Sequence, residues 1–158
     1  KDTFGNDVNY FHTVDPPAAQ LLDPATLGPG IGDLTQEMLR QWRAVKGEGD
    51  VPPHVSMGWN NTWIFLHHVL PAAIKNHGGI DSEALRQAAL ELDIPVGGTM
   101  QGYGVKFAPP GDPMAGQNIR SFPIVMQYVD FVAKVTFPTE IRTVDPVLPF
   151  PKGHTFAP

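Results

Sequence analysis

A chain of 158 residues with a net charge of −5 has only eleven Lys and Arg, scattered without a basic run, and this argues against a nucleic-acid partner. The absence of cysteine removes disulfides and thiolate metal sites, and no apolar run approaches the ~20 residues of a membrane span. The length fits a single domain over residues 1–158 with a core of useful size, while 17 Pro and 16 Gly, about a fifth of the chain, predict short elements and many turns.

In chain order, the aromatic and β-branched residues of 7–14 predict a strand, stopped by Asp15-Pro16-Pro17. Residues 16–32, rich in Pro and Gly, read as a loop. Asp33 reads as the N-cap of a helix on which Leu34, Met38, Trp42 and Val45 recur at helical spacing, ended by Gly47. The next helix is expected to start near Gly58 or Trp59. It carries Trp59, Trp63, Leu66, Leu70, Ile74 and His77 on one broad face, a kink at Pro71 and a stop at Gly78-Gly79. Asp81 or Ser82 caps a short helix over 83–91. A short strand is expected at 103–107, a loop at 109–118, and two strands at 119–128 and 131–137 around a tight turn. Beyond Pro138, the Pro-rich stretch 139–158 is expected to lie extended along a surface. Helices and strands alternate, so the class is α/β or α+β, with too few strands for a complete doubly wound sheet.

No pattern of residues carries catalysis. Gly-x-Ser-x-Gly is absent, a Cys nucleophile is impossible, and carboxylates such as Glu91 and Asp93 are too local to act as opposed acid and base. His67 and His68 are adjacent, about 100° apart on an α-helix, and so do not make a metal-ligand pair. The glycine clusters at 28–32 and 97–102 lack the surroundings of a dinucleotide or phosphate loop. The chain is therefore read as a non-enzyme with no metal and no cofactor. Asn60-Asn61-Thr62 matches a glycosylation sequon at a helix start and is read as chance.

Trp59 supports two readings. An indole at the first turn of a helix covers a small apolar ligand, with Asn60 or Asn61 as polar neighbours and free N–H groups for a carboxylate. Alternatively, Trp59 is core and Asn60 is an N-cap.

The order of these features is similar to a known family. Gly58-Trp59-Asn60-Asn61, then Gly78-Gly79-Ile80-Asp81, Ala88-Ala89-Leu90, Gly102 to Phe107, Gly111-Asp112, Val125-Met126-Gln127-Tyr128 and Val135-Thr136-Phe137-Pro138 follow one another. This succession resembles the C-terminal part of the substrate-binding proteins of ABC importers, the clamshell (type I periplasmic binding protein) kind that carries branched-chain amino acids. The likeness covers roughly residues 33–140. It implies an α/β partial lobe of a two-lobe fold, with about three helices packed on a small sheet and a C-terminal β-hairpin. It implies a small-molecule ligand, an amino acid or an aromatic or aliphatic carboxylate, held between lobes and passed to a membrane permease in the periplasm. A ligand-sensing receptor domain of the same fold is the alternative. By the same likeness Trp59, Asn60 and Asn61 are ligand-contact candidates, with Tyr103 as a further one. Phe131 stands where a hairpin glycine is usual, which predicts a longer or strained turn. The opening Lys1-Asp2-Thr3 has no hydrophobic signal segment and reads as processed or truncated. A missing N-terminal portion or a homodimer is then expected, with weak or no ligand affinity for this segment alone.

Overall fold

The structure, a computed structural model, describes residues 5–49 and 51–155. Helix α1 spans Ile31–Lys46. Helix α2 (Pro53–Ile64), a π turn (Phe65–Val69) and helix α3 (Leu70–His77) form one continuous helical run. Helix α4 spans Ser82–Leu90. Strands β1 (His12–Asp15), β2 (Ile124–Val129) and β3 (Val132–Phe137) make an antiparallel sheet in the order β1-β2-β3. Three helical runs and a small sheet ending in a hairpin are the architecture that the resemblance implies.

Several boundaries differ from the sequence reading, each for a local reason. The first strand is shorter than 7–14: Gly5–Val8 is a 3-10 turn, and Tyr10 takes a left-handed φ of 66° before β1 begins at His12. Asp33 is not the N-cap of α1. The cap lies three residues earlier, at Gly30, and the helix opens at Ile31, because Gly30 reaches a left-handed φ of 78° and its carbonyl accepts the first helical bond from Leu34. The second helix starts at Pro53 rather than near Gly58, since proline at the first helical position has no amide to leave unpaired. Residues 103–107 form no strand; the segment is held by single antiparallel bridges, Ile94 to Val105 and Phe107 to Asn118.

The caps of α4 and α3 follow the sequence. Asp81 Oδ1 accepts from the amides of Glu83 and Ala84, both at 3.0 Å, and Gly78 closes α3 at φ 76°. The hairpin turn is strained rather than longer. Asp130 and Phe131 take φ of 51° and 64°, and the Phe131 amide donates to Asn9 Oδ1 at 2.7 Å. The tail after Pro138 makes a 3-10 turn at Thr139–Ile141. It then runs back along the sheet, with the Thr143 amide donating to the Val135 carbonyl at 2.8 Å. Buried Gln127 of β2 ties the segments before β1 and after β3 to the sheet: its amide donates to the carbonyls of Tyr10 and Val147 and accepts from the Val147 amide.

Apolar packing falls into three clusters. Met38, Leu39 and Ile31 of α1 meet Ala19 and Met100 against the first half of the long helix. Ile64, Val69 and Ala73 meet Ala84, Ala88, Leu92 and Val105 between its second half and α4. Ile124, Met126 and Val135 of the sheet pack on Leu22 and Ile141. Leu27 touches both the α1 cluster and the sheet cluster, so the loop after β1 joins the helices to the sheet.

Candidate functional site

The long helix, α4 and the segment 103–121 enclose a cleft of about 610 Å³. Its floor is the apolar cluster beneath it, with Ile64 and Val69 from the helical run, Leu85 and Ala89 from α4, and Leu92 and Val105 opposite. Its rim is polar, formed by Asn61, Ser82, Arg86, Tyr103, Asn118 and Ser121. A concave apolar floor with a few polar groups around it is the usual build of a small-molecule site.

The rim is held in place by hydrogen bonds that also decide its polarity. Gln101, fully buried, donates its amide to the Pro17 carbonyl at 3.0 Å. Its Oε1 therefore faces the other way and accepts from Asn60 Nδ2 at 3.1 Å and from the Tyr103 hydroxyl at 2.5 Å. Tyr103 must donate in that bond, so its oxygen is left only as an acceptor. Ser121 likewise donates to the Asn118 carbonyl at 2.8 Å and keeps only acceptor capacity. Burial pushes the Tyr103 phenol above its usual value, so it stays protonated at neutral pH. Asn118 fixes the wall: its Oδ1 accepts the amides of Lys106 and Arg120, and its Nδ2 donates to the Gly104 carbonyl at 2.9 Å. On the opposite rim Arg86 forks onto Glu83, which lowers that carboxyl to about 2 through the Arg86 hydrogen bonds and then the Gln87 amide. The cleft thus has an acceptor side at Tyr103 and Ser121 and a cationic donor, already paired, at Arg86.

Asp93 anchors the wall from outside. Its two oxygens meet Lys106 Nζ at 2.7 Å and Arg120 Nη1 at 2.5 Å, while Arg120 also donates to the Ile94 carbonyl at 2.7 Å. The bond from Lys106, then that from Arg120, hold the Asp93 pKa below its ordinary 3.8. A lowered carboxylate pKa stabilises the fold above the unfolded value, and this contribution is lost as pH falls below 3.8 through the folded value. In acid titrations followed by urea unfolding, Asp93→Asn is therefore expected to be less stable than wild type at neutral pH. The difference should close below about pH 4, and a constant gap at all pH values would contradict this. Exposure of the pair keeps the effect modest.

The four residues singled out from sequence do not form one cluster. Residues 59, 60 and 61 lie inside a helix, where consecutive side chains diverge by about 100°. Asn61 faces the cleft with Tyr103. Asn60 is fully buried, its Oδ1 accepting the Met100 amide at 3.1 Å, so it is neither an N-cap nor an exposed glycosylation acceptor. Trp59 packs on the α1 cluster and borders a separate groove with Leu34, Gly58, Thr62, Trp63 and Leu66. The amides near Gly58 and Trp59 lie within the helix and do not offer the free N–H groups expected of a helix start. Gln101, Asn118, Ser82 and Arg86 were missed by the sequence reading. The long-range chain reversal between residues 92 and 121 sets the wall that Gln101 and Asn118 belong to, and short-range patterning carries no signal for it. His67 and His68 both approach Trp63, with ring centroids 5.5 and 5.0 Å away, and the described residues contain no group of three metal-ligating side chains.

No family model matches the sequence, and no curated protein matches it. The fold is similar to that of an extracellular ligand-binding receptor from Rhodopseudomonas palustris HaA2, with a TM-score of 0.57 and 17% identity over 83% of this chain and 35% of that one. It is also similar to Rp1789 of Rhodopseudomonas palustris strain CGA009, with a TM-score of 0.56 and 16% identity over 84% of this chain and 36% of that one. The chain therefore has the fold of a portion of such a receptor, a partial lobe, and spans about a third of the length of the structures it resembles.

Proposed function

We propose that this chain is part of the solute-binding component of an ABC importer. It captures a small organic acid of the branched-chain or aromatic amino acid kind between two lobes and delivers it to a membrane permease, outside the cytoplasm and without chemistry of its own. The observation that carries this reading is the similarity of fold to an extracellular ligand-binding receptor over most of the chain. The cleft supports it in chemistry: an apolar floor suits an aliphatic or aromatic body, acceptor oxygens at Tyr103 and Ser121 suit an ammonium group, and the Arg86 side suits a carboxylate. The remaining contacts belong to a second lobe, so the affinity of this segment alone is low.

Titration of the chain with L-leucine and L-phenylalanine, followed by heteronuclear NMR, tests the proposal. Shifts are expected at Asn61, Tyr103 and Val105, saturating only at high ligand concentration. Tyr103→Phe is expected to weaken them several-fold, because the acceptor for an ammonium group is removed while the apolar floor stays. Shifts confined to Trp59 and Trp63 would move the site to the other groove, and chemical conversion of an added compound would replace a receptor with an enzyme.

A further inference from the structure

Helix α4 carries alanine on two different faces. Ala84 and Ala88, one turn apart, are buried in the cluster that also holds Ala73 of α3. A larger side chain in that row would force the two helices apart, so packing itself requires these residues to be small. Ala89 stands about 100° round the helix from Ala88. It is only partly buried, and it lines the candidate ligand cleft between Leu85, one turn before it, and Leu92, just past the helix end. Every other apolar side chain lining that cleft is branched or aromatic, from Phe65 and Val69 on one wall to Val105 and Phe107 on the other. Contact between α3 and α4 thus accounts for Ala84 and Ala88 but not for Ala89. What the short side chain of Ala89 leaves is open space in the cleft, a notch between two leucines.

The notch also lies at a useful distance from the polar rim. Arg86 lines the same cleft three residues before Ala89, which places Ala89 about 4.5 Å further along the helix axis, toward the buried Leu92 and Val105. That step is comparable with the reach of the three C–C bonds, about 1.5 Å each, from the carboxyl carbon of an α-amino acid to its γ-carbon. A carboxylate at the Arg86 rim therefore brings a branched or aromatic side chain to Ala89, whereas the single methyl of alanine falls short of it.

We propose that Ala89 is the specificity-determining residue of this cleft: its methyl leaves a notch between Leu85 and Leu92 that takes the branched or aromatic side chain of the ligand and sets the largest one admitted. The inference rests on the reading of this cleft as the ligand site and adds the residue that reads ligand size. Leucine at position 89 would fill the notch with three further carbons. A single methylene in an apolar pocket changes discrimination by about 10–200-fold, so this change alters the ranking of ligands and not only their strength.

The test uses the whole chain and its variants Ala89→Leu, Ala89→Val and Ala88→Leu, with L-alanine, L-leucine, L-phenylalanine and benzene as probes. Binding is read from the NMR shifts of the Leu92 and Val105 methyls, and folding from thermal unfolding. In wild type, leucine and phenylalanine are expected to bind more tightly than alanine, and benzene to shift the same methyls. Ala89→Leu should weaken leucine and phenylalanine at least tenfold relative to alanine, abolish the benzene shifts and keep the wild-type unfolding midpoint. Ala89→Val should fall between, and Ala88→Leu should lower the midpoint by several degrees. If Ala89→Leu and Ala89→Val unfold as early as Ala88→Leu, Ala89 is a packing residue and the proposal is overturned. Equal weakening of all three amino acids in folded Ala89→Leu, no weakening of any, or benzene shifts that persist there, would overturn it too. If no amino acid binds wild type, yet benzene enters wild type and not Ala89→Leu, the notch stands and the solute-binding reading falls instead.

Discussion

Gly104→Ala is expected to be among the most damaging single-methyl changes in this protein. Gly104 does not take a positive φ, so the conflict is steric and not conformational. A Cβ there would run into the Ile94 carbonyl oxygen, lie 2.7 Å from the Pro95 carbonyl carbon and lie 2.9 Å from Arg120 Cδ. Two of these three contacts are with backbone atoms, which cannot rotate away. The bridge between Ile94 and Val105 must therefore open, and with it the Arg120 hydrogen bond to Ile94 and the Val105 wall of the cleft. Overpacking of this kind costs about 1–3 kcal/mol, or a fall in the unfolding midpoint of about 2–4 °C for each kcal/mol in a domain of this size. Gly58→Ala supplies the contrast. Gly58 lies inside α2, and a methyl placed on it would meet nothing within 4 Å. Its replacement is expected to stabilise by about 0.5–1 kcal/mol through helix propensity alone. Thermal unfolding of the two variants should move in opposite directions, and a shift of the same sign in both would refute this account.

Asn60→Ala is the second large effect. Asn60 is fully buried and closes two bonds at once, accepting the Met100 amide and donating to Gln101. Without it the Met100 amide has lost its acceptor in a dry interior, a loss of about 1–3 kcal/mol. Gln101 then holds Tyr103 less firmly, because it retains only the Pro17 and Tyr103 bonds. Asn60→Asp should be worse than Asn60→Ala at neutral pH: the new carboxylate meets the Gln101 oxygen, which is itself an acceptor, and carries a charge into a site that lacks a cation. Urea denaturation of both variants measures this. If Asn60→Ala were as stable as wild type and only ligand binding suffered, Asn60 would be a ligand contact after all, and its role as the link between α2 and the 99–103 loop would fall.

These two positions also show how far local patterning reaches. The stops at Gly47 and Gly78, the Asp81 cap, the amphipathic residues of α1 and the paired strands around residues 124–137 were legible because each depends on chemistry within a few residues. The helix start at Pro53 was missed since Gly58-Trp59 resembled an opening, while the true start has no side-chain cap and is marked only by proline at the first helical position, where a missing amide costs nothing. The role of Gly104 depends on an Ile94 carbonyl ten residues away. The role of Asn60 depends on Gln101 and Met100, some forty residues away.

By itself the sequence determined that the molecule mixes helices and strands, without cysteine chemistry or a basic face, and that its helices and hairpin are set by short-range preference and hydrophobic period. Only the tertiary structure decided where three consecutive residues point. Trp59 goes to an aromatic groove, Asn60 to the interior and Asn61 to the candidate cleft beside Tyr103, because they lie within a helix and not at its mouth. The polarity of that cleft is likewise a product of folding. It follows from Gln101, whose amide is turned by the distant Pro17 carbonyl so that the Tyr103 hydroxyl has to donate to its oxygen. Hydrogen-bond direction of this kind is set by partners brought together across the chain, and no stretch of residues encodes it alone.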